Sequence, residues 1–259
     1  MNTFIQDYIN NKSSKTPIWL MRQAGRYLPE FREIRAKNTD FIKLCLNSNL
    51  SAEITLQPLK RFSLDAAIIF SDILILPYGV KQKVEFKKNV GPILGDFNLD
   101  QISRITENDF TNRVNPVYEA INLVKNNSLT QNKTTIGFVG APWTLLVYIL
   151  NKQSPKHSLN KNFFDDQSFI QQILKIIEKF LKVHIKNQIN SGADVIQIFD
   201  SWAGLLDDKD LDFYIYNPTC SLVEFIKSLN VPVICFPRGI KNYKKYCEIV
   251  QPDVICIDY

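Results

Sequence analysis

Short apolar runs recur along this 259-residue chain, separated by stretches of helical length. That alternation constrains the fold more than any single motif. The runs Ile18–Arg22, Ala66–Phe70, Thr135–Val139, Val195–Phe199, Val231–Phe236 and Val254–Asp258 have strand length. Between them lie helical stretches: 40–62 with a break at Ser48-Asn49, 113–126, Trp143–Leu150 behind Pro142, Ser168–Asn190, 209–229 and Tyr243–Val250. Ala66–Phe70 is apolar at every position, as in a strand covered on both faces. Strands alternating with helices predict a parallel sheet with right-handed crossovers. Val84–Phe86 and Val90–Leu94, on either side of Lys87-Lys88-Asn89, predict a hairpin excursion. Residues 154–166 are polar and predict a surface loop.

Polar side chains follow the strands: Arg22, Asp72, Ser201 and Arg238. In (β/α) barrels the carboxyl ends of the strands carry the active site, and doubly wound sheets use the same end. A dinucleotide fold needs G-x-G-x-x-G after a strand. Gly137 and Gly140 do not supply it, and no Walker A loop occurs.

Composition narrows the function classes. Hydrophobic residues are 45% and charged residues 22%, enough for a packed core. A net charge of +5, spread over scattered lysines, is weak support for a nucleic-acid partner. The cysteines, Cys45, Cys220, Cys235, Cys247 and Cys256, form no C-x-x-C pair. They predict reduced thiols of a cytosolic protein rather than a zinc ribbon. The start, MNTFIQDYINNK, lacks the apolar core of a signal peptide, and no run reaches the ~18 apolar residues of a membrane span.

Pro17–Arg35 places Arg22, Arg26, Arg32 and Arg35 within fourteen residues. Neither Arg22 nor Arg26 has a carboxylate four residues away, the spacing of a solvated helix face. Pro29 interrupts any single helix, so a strand leading into a looped arm is expected. Forked guanidinium groups suit planar carboxylates. The arm is therefore either a multi-carboxylate or phosphate site, or a solvated basic surface. Asp72 lies inside an apolar stretch, where a carboxylate needs a partner or a role. It either stabilises a developing cation or caps the following helix. Tyr148 is either core packing or a hydroxyl offered to a ligand. Ser201 has no histidine base, because His157 falls in the polar loop and His184 inside a long helix. Neither has triad or metal-ligand spacing.

Four segments together resemble the uroporphyrinogen decarboxylase family. PIWLMRQAGRYLPEFREIR is similar to its N-terminal signature and IGFVGAPWTLLVY to its second, with AAIIFSDILI and IQIFDSWAG between and beyond. The resemblance runs over essentially the whole chain. It implies a (β/α)8 TIM-type barrel, here about six of eight units, as one domain over residues 1–259. It implies removal of the four acetate carboxylates of uroporphyrinogen III, giving coproporphyrinogen III, without metal or organic cofactor. It further implies a cytoplasmic homodimer that uses neither nucleic acid nor membrane. By the same resemblance Arg22, Gln23, Ala24, Gly25, Arg26 and Arg35 hold substrate carboxylates. Asp72 receives pyrrole N–H groups at the centre of the macrocycle and carries the catalysis with Arg22. Tyr148 and Ser201 add polar contacts. An arginine is nonetheless a poor proton donor.

One departure stands out. The family supplies a substrate-contacting histidine from a C-terminal NLGHG-like motif, which is absent here. That predicts a fragment of a longer gene product, with poor solubility and little or no activity by itself. The rival class within this barrel superfamily is the corrinoid-linked methyltransferases, which build zinc around a His-x-Cys pair. Here Val233 stands two residues before Cys235, where the histidine belongs.

Overall fold

The computed structural model describes residues 4–9, 12, 15–155, 159 and 162–258. In chain order it begins with α1 (Phe4–Ile9), α2 (Pro29–Lys37), α3 (Phe41–Cys45), α4 (Ser48–Arg61), β1 (Ala66–Ile68) and α5 (Ile75–Gly79). The hairpin β2 (Val84–Lys87) and β3 (Gly91–Leu94) follows, then α6 (Leu99–Ile102) and α7 (Glu107–Lys125). The second half runs through β4 (Thr134–Gly140), α8 (Pro142–Asn151), α9 (Gln167–Asn190), β5 (Val195–Asp200), α10 (Asn217–Ser228), β6 (Val233–Pro237), α11 (Tyr243–Val250) and β7 (Val254–Ile255).

Five strands form one parallel sheet in the order β1-β4-β5-β6-β7. The order follows the chain without reversal, which is the winding of a (β/α) barrel. A doubly wound sheet reverses at a switch point. The excursion β2-β3 pairs antiparallel, as its sequence predicts. Alternate side chains of the sheet face opposite ways. Ile196, Ile198, Val233 and Cys235 join the large core beneath the helices. Ile68, Ile136, Val195 and Ile234 form a smaller inner core, joined by Phe138 and Phe199. Ile5 and Ile9 of α1, with Trp19, close this inner core. α7 starts at a capping box in which Thr106 and Asp109 satisfy each other's backbone N–H groups.

The structure corrects three expectations. Ile18–Arg22 is not a strand. Its backbone pairs with the residue before β1 rather than with a strand: Ile18 N–H reaches the Asp65 carboxylate and Ile18 C=O accepts Asp65 N–H, both at 2.8 Å. Ile18 and Leu20 stay 60% and 56% exposed, so their apolar character reflected no burial. The sheet therefore has five strands where six were expected. The arm is looped only to Leu28, because Pro29 opens α2, where its missing N–H costs nothing. Finally, 209–229 is not one regular helix: a 3₁₀ turn and a wide π turn at Asp212–Tyr216 precede α10. Among the described residues no helix is long and apolar enough to cross a membrane.

Candidate active site

The carboxyl ends of the strands open into a cleft of about 620 Å³. Its floor is aromatic and aliphatic: Ile68, Phe138, Phe199 and Phe236. Phe138 meets Phe199 edge-on at 5.4 Å, and Phe199 meets Phe236 edge-on at 6.3 Å. Polar groups stand around that floor.

Asp72 reaches the cleft because α4 holds the chain that leaves β1. Ser51 donates its hydroxyl proton to Phe70 C=O, and Phe70 N–H donates to Thr55 Oγ1 at 2.8 Å. Asp72 Oδ1 then accepts Leu74 N–H at 2.8 Å, which closes the turn ahead of α5 while Asp72 lines the cleft; α5 itself starts at Leu74 without a side-chain cap. Its surface opens only in part, and burial pushes its pKa up to about 6, against the hydrogen bond from Leu74 and the charge of Arg22.

The arm forms another wall. Gln23 is buried and holds it in place: its Nε2 donates to Ala66 C=O at 3.0 Å, and its Oε1 accepts Leu20 N–H at 3.3 Å. Arg22 and Ala24 flank it on the cleft. The guanidinium of Arg32 donates to the carbonyls of Arg26 and Tyr27, at 2.8 and 3.2 Å, which ties α2 back onto the loop.

Opposite, α8 grips the end of β5. Ala141 N–H donates to Phe199 C=O at 2.8 Å. Trp143 Nε1 donates to Trp202 C=O at 2.8 Å, and Thr144 Oγ1 donates to Asp200 Oδ1 at 2.7 Å while accepting Trp202 N–H at 3.2 Å. One turn on, Tyr148 presents its ring to Trp202, with centroids 6.1 Å apart. Tyr148 and Ser201 both line the cleft. Burial raises the pKa of Tyr148, so its hydroxyl keeps its proton and can donate it.

Arg22, Gln23, Ala24, Asp72, Tyr148 and Ser201 therefore share one cleft. Gly25, Arg26 and Arg35, expected beside them, do not line it. Arg35 lies behind the wall, its guanidinium 5.5 Å over the Phe41 ring, and Phe41 is the residue that faces the cleft. The aromatic floor had no place in the sequence-based site, although Phe138, Phe199 and Phe236 each sit at the end of an apolar run. His184 is structural, as expected: Tyr118 hydroxyl meets its Nδ1 at 2.9 Å, and burial lowers its pKa to about 3. His157 lies outside the described residues. Cys235 points into the helix-covered core, where burial pushes its thiol up to about 12, so it neither faces the cleft nor favours the thiolate a metal needs. A separate hollow of about 500 Å³, lined by Ser48, Asn115, Glu119 and Asn190 among others, offers no cation to an anionic ligand.

Fold and cleft together define a barrel-type protein with cations, a half-buried carboxylate and hydroxyl donors around an apolar floor. The chain belongs to the family described as uroporphyrinogen decarboxylase (URO-D), whose model matches residues 2–259. A uroporphyrinogen decarboxylase of Rickettsia felis is 39% identical over 256 residues, covering 96% of this chain and 73% of that protein. One of Rickettsia bellii is 38% identical over 261 residues, covering 99% and 76%. A methyltransferase from Methanosarcina mazei shares the fold with a TM-score of 0.70 at 15% identity, covering 98% of this chain and 82% of that one.

Proposed function

We infer that this chain decarboxylates uroporphyrinogen, converting its four acetate side chains to methyl groups. The observation that carries this reading is Asp72, a carboxylate lining an apolar-floored cleft with Arg22 close enough to lower its pKa. A flat macrocycle lies against Phe138, Phe199 and Phe236, and its side-chain carboxylates meet cations at the rim. Forked, charge-assisted hydrogen bonds from Arg22 orient them. Arg26 and Arg35, outside the lining, supply longer-range positive potential at the mouth.

Breaking the bond between an acetate methylene and its carboxylate leaves an electron pair that needs a sink. Protonation of the pyrrole ring makes a cation that accepts the pair. CO2 leaves, the methylene carbon takes a proton to become methyl, and the ring gives back the proton it had taken up. With a pKa near 6, Asp72 is mostly ionised at neutral pH and faces the pyrrole N–H groups of that cation. A fixed charge placed where charge develops stabilises the intermediate without reorganisation. Tyr148 and Ser201 donate hydrogen bonds to substrate oxygens. In this reading the protein works in the cytoplasm as a homodimer, on a small-molecule substrate alone.

Anaerobic incubation with uroporphyrinogen tests the reading. Hepta-, hexa-, penta- and tetracarboxylate products appearing in turn support it. Unchanged octacarboxylate with a folded protein contradicts it.

A further inference from the structure

We propose that Arg238 is a second carboxylate-binding group of the cleft, on the wall away from the arm, and that it anchors a side-chain carboxylate of the tetrapyrrole. The proposal rests on reading the cleft as a tetrapyrrole site. Three observations carry it.

The first is position. Arg238 follows β6 directly, lines the cleft with Ser201 and Phe236, and has an exposed side chain. Arg22 lines the same cleft from the arm, next to β1 at the other end of this part of the sheet. An elongated polyanion spanning the floor meets a guanidinium at each end.

The second is a rigid base. Arg238 N–H donates to Asp200 C=O at 3.0 Å, and Arg238 C=O accepts Gly204 N–H at 3.0 Å. The peptide is thus held by the loop after β5 on both sides. Gly239 takes φ +78°, and Gly204 packs directly on it: a Cβ on Gly204 would stand 2.8 Å from Gly239 oxygen and 2.9 Å from its Cα. Two residues without side chains let the loops after β5 and β6 close on each other, and only a glycine adopts that φ cheaply. This fixes the root of Arg238 beside Ser201.

The third is a free charge. Among the described residues no carboxylate comes within ion-pair distance of Arg238. The nearby Asp258 feels the charge of Arg238 but stays beyond ion-pair distance of it: its carboxylate accepts Gly239 N–H at 3.0 Å and the Tyr243 hydroxyl. A guanidinium anchored at its root and unpaired at its tip is preorganised for an external planar anion.

Wild type, Arg238→Gln, Arg238→Lys and, as a control for lost surface charge, Arg104→Gln are compared in two assays. One is equilibrium binding of uroporphyrin, the stable octacarboxylate, followed by protein fluorescence. The other is anaerobic turnover of uroporphyrinogen. Arg238→Gln should weaken binding and raise KM about ten- to hundredfold, the loss expected for a charge-assisted pair, with kcat less affected. Arg238→Lys should recover part of the loss, and Arg104→Gln should match wild type. Arg238→Gln indistinguishable from Arg104→Gln, while wild type binds and turns over, overturns the role of Arg238 alone. Wild type that neither binds nor turns over overturns the reading of the cleft and this inference with it. Thermal melts of the two Arg238 variants within a few degrees of wild type exclude unfolding as the cause; if Arg238→Gln melts early, Arg238→Met, which keeps the stem, replaces it.

Discussion

Thr144 Oγ1 donates to Asp200 Oδ1 at 2.7 Å and accepts Trp202 N–H, so one hydroxyl ties α8 to both ends of the Asp200-Ser201-Trp202 turn. Asp200 is 2% exposed, and its other oxygen has no partner among the described residues. Thr144→Val strands a buried carboxyl and a backbone N–H. It should cost about 2–4 kcal/mol, read as a shift in the urea midpoint at unchanged slope. Thr144→Ser should stay near wild type.

The same carboxyl sets a pH dependence. Burial raises the pKa of Asp200 from 3.8 to about 7 in the fold. Between about pH 4 and 7 the native state holds a proton that the unfolded chain has released, so this group's contribution to stability falls as pH rises. Asp200→Asn has nothing to titrate there. Wild type should therefore lose more stability than Asp200→Asn between pH 5 and 8 in urea titrations. Parallel losses would remove Asp200 from the account.

His184 works in the opposite sense. Its pKa is lowered to about 3, so below pH 6.5 the unfolded chain takes up a proton that the native state refuses. Stability is lost as pH falls from about 6.5 to 3. His184→Gln should flatten that acid limb, measured as the urea midpoint at pH 4 and 7 relative to wild type.

Gln188 of α9 acts as a strand partner. Its Oε1 accepts Phe138 N–H and its Nε2 donates to Phe138 C=O, each at 3.0 Å. β1 ends at Ile68, opposite Ile136, and beyond that point Gln188 takes over the open edge of β4. Gly137 makes room: a Cβ there would stand 2.6 Å from Gln188 Oε1. Gln188→Leu leaves a buried N–H and C=O unpaired and should cost about 2–4 kcal/mol in denaturant titration. Because Phe138 is part of the floor, affinity for uroporphyrin should fall as well.

The Gln23 side chain ties the arm beside Arg22 to Ala66 C=O and Leu20 N–H, and the Tyr27 hydroxyl donates to Gln23 C=O. Gln23→Ala removes both side-chain ties and loosens the arm at Arg22. KM for uroporphyrinogen should rise about tenfold, while stability falls by about 1–2 kcal/mol. A loss of stability with KM unchanged would make Gln23 a core residue and no more.

Much of this was legible in the chain. Parallel strands, their polar carboxyl ends and the β2-β3 hairpin follow from apolar runs, their lengths and what comes next. Asp72, Tyr148 and Ser201 fall together because each sits just past a strand or one turn into the helix behind it. The arm was harder. Ile18-Trp19-Leu20 reads as a strand by composition, yet Ile18 and Leu20 face outwards, and a local window cannot tell an apolar edge from a buried one. Arg35 reads like Arg22, but Pro29 starts a helix that carries it behind Phe41. Gln188 and Thr144 were invisible, because their partners lie 50 and 56 residues away.

The central claim is that Asp72 is the carboxylate on which decarboxylation turns. The direct measurement is CO2 release from uroporphyrinogen under anaerobic conditions by wild type and Asp72→Asn, with circular dichroism and melting of both. Wild type should show turnover, whatever its absolute rate, falling on the acid side with an apparent pKa near 6 as Asp72 takes a proton. Asp72→Asn should remain folded and release no CO2 above the uncatalysed background. Turnover at the wild-type rate in a folded Asp72→Asn protein would contradict the account.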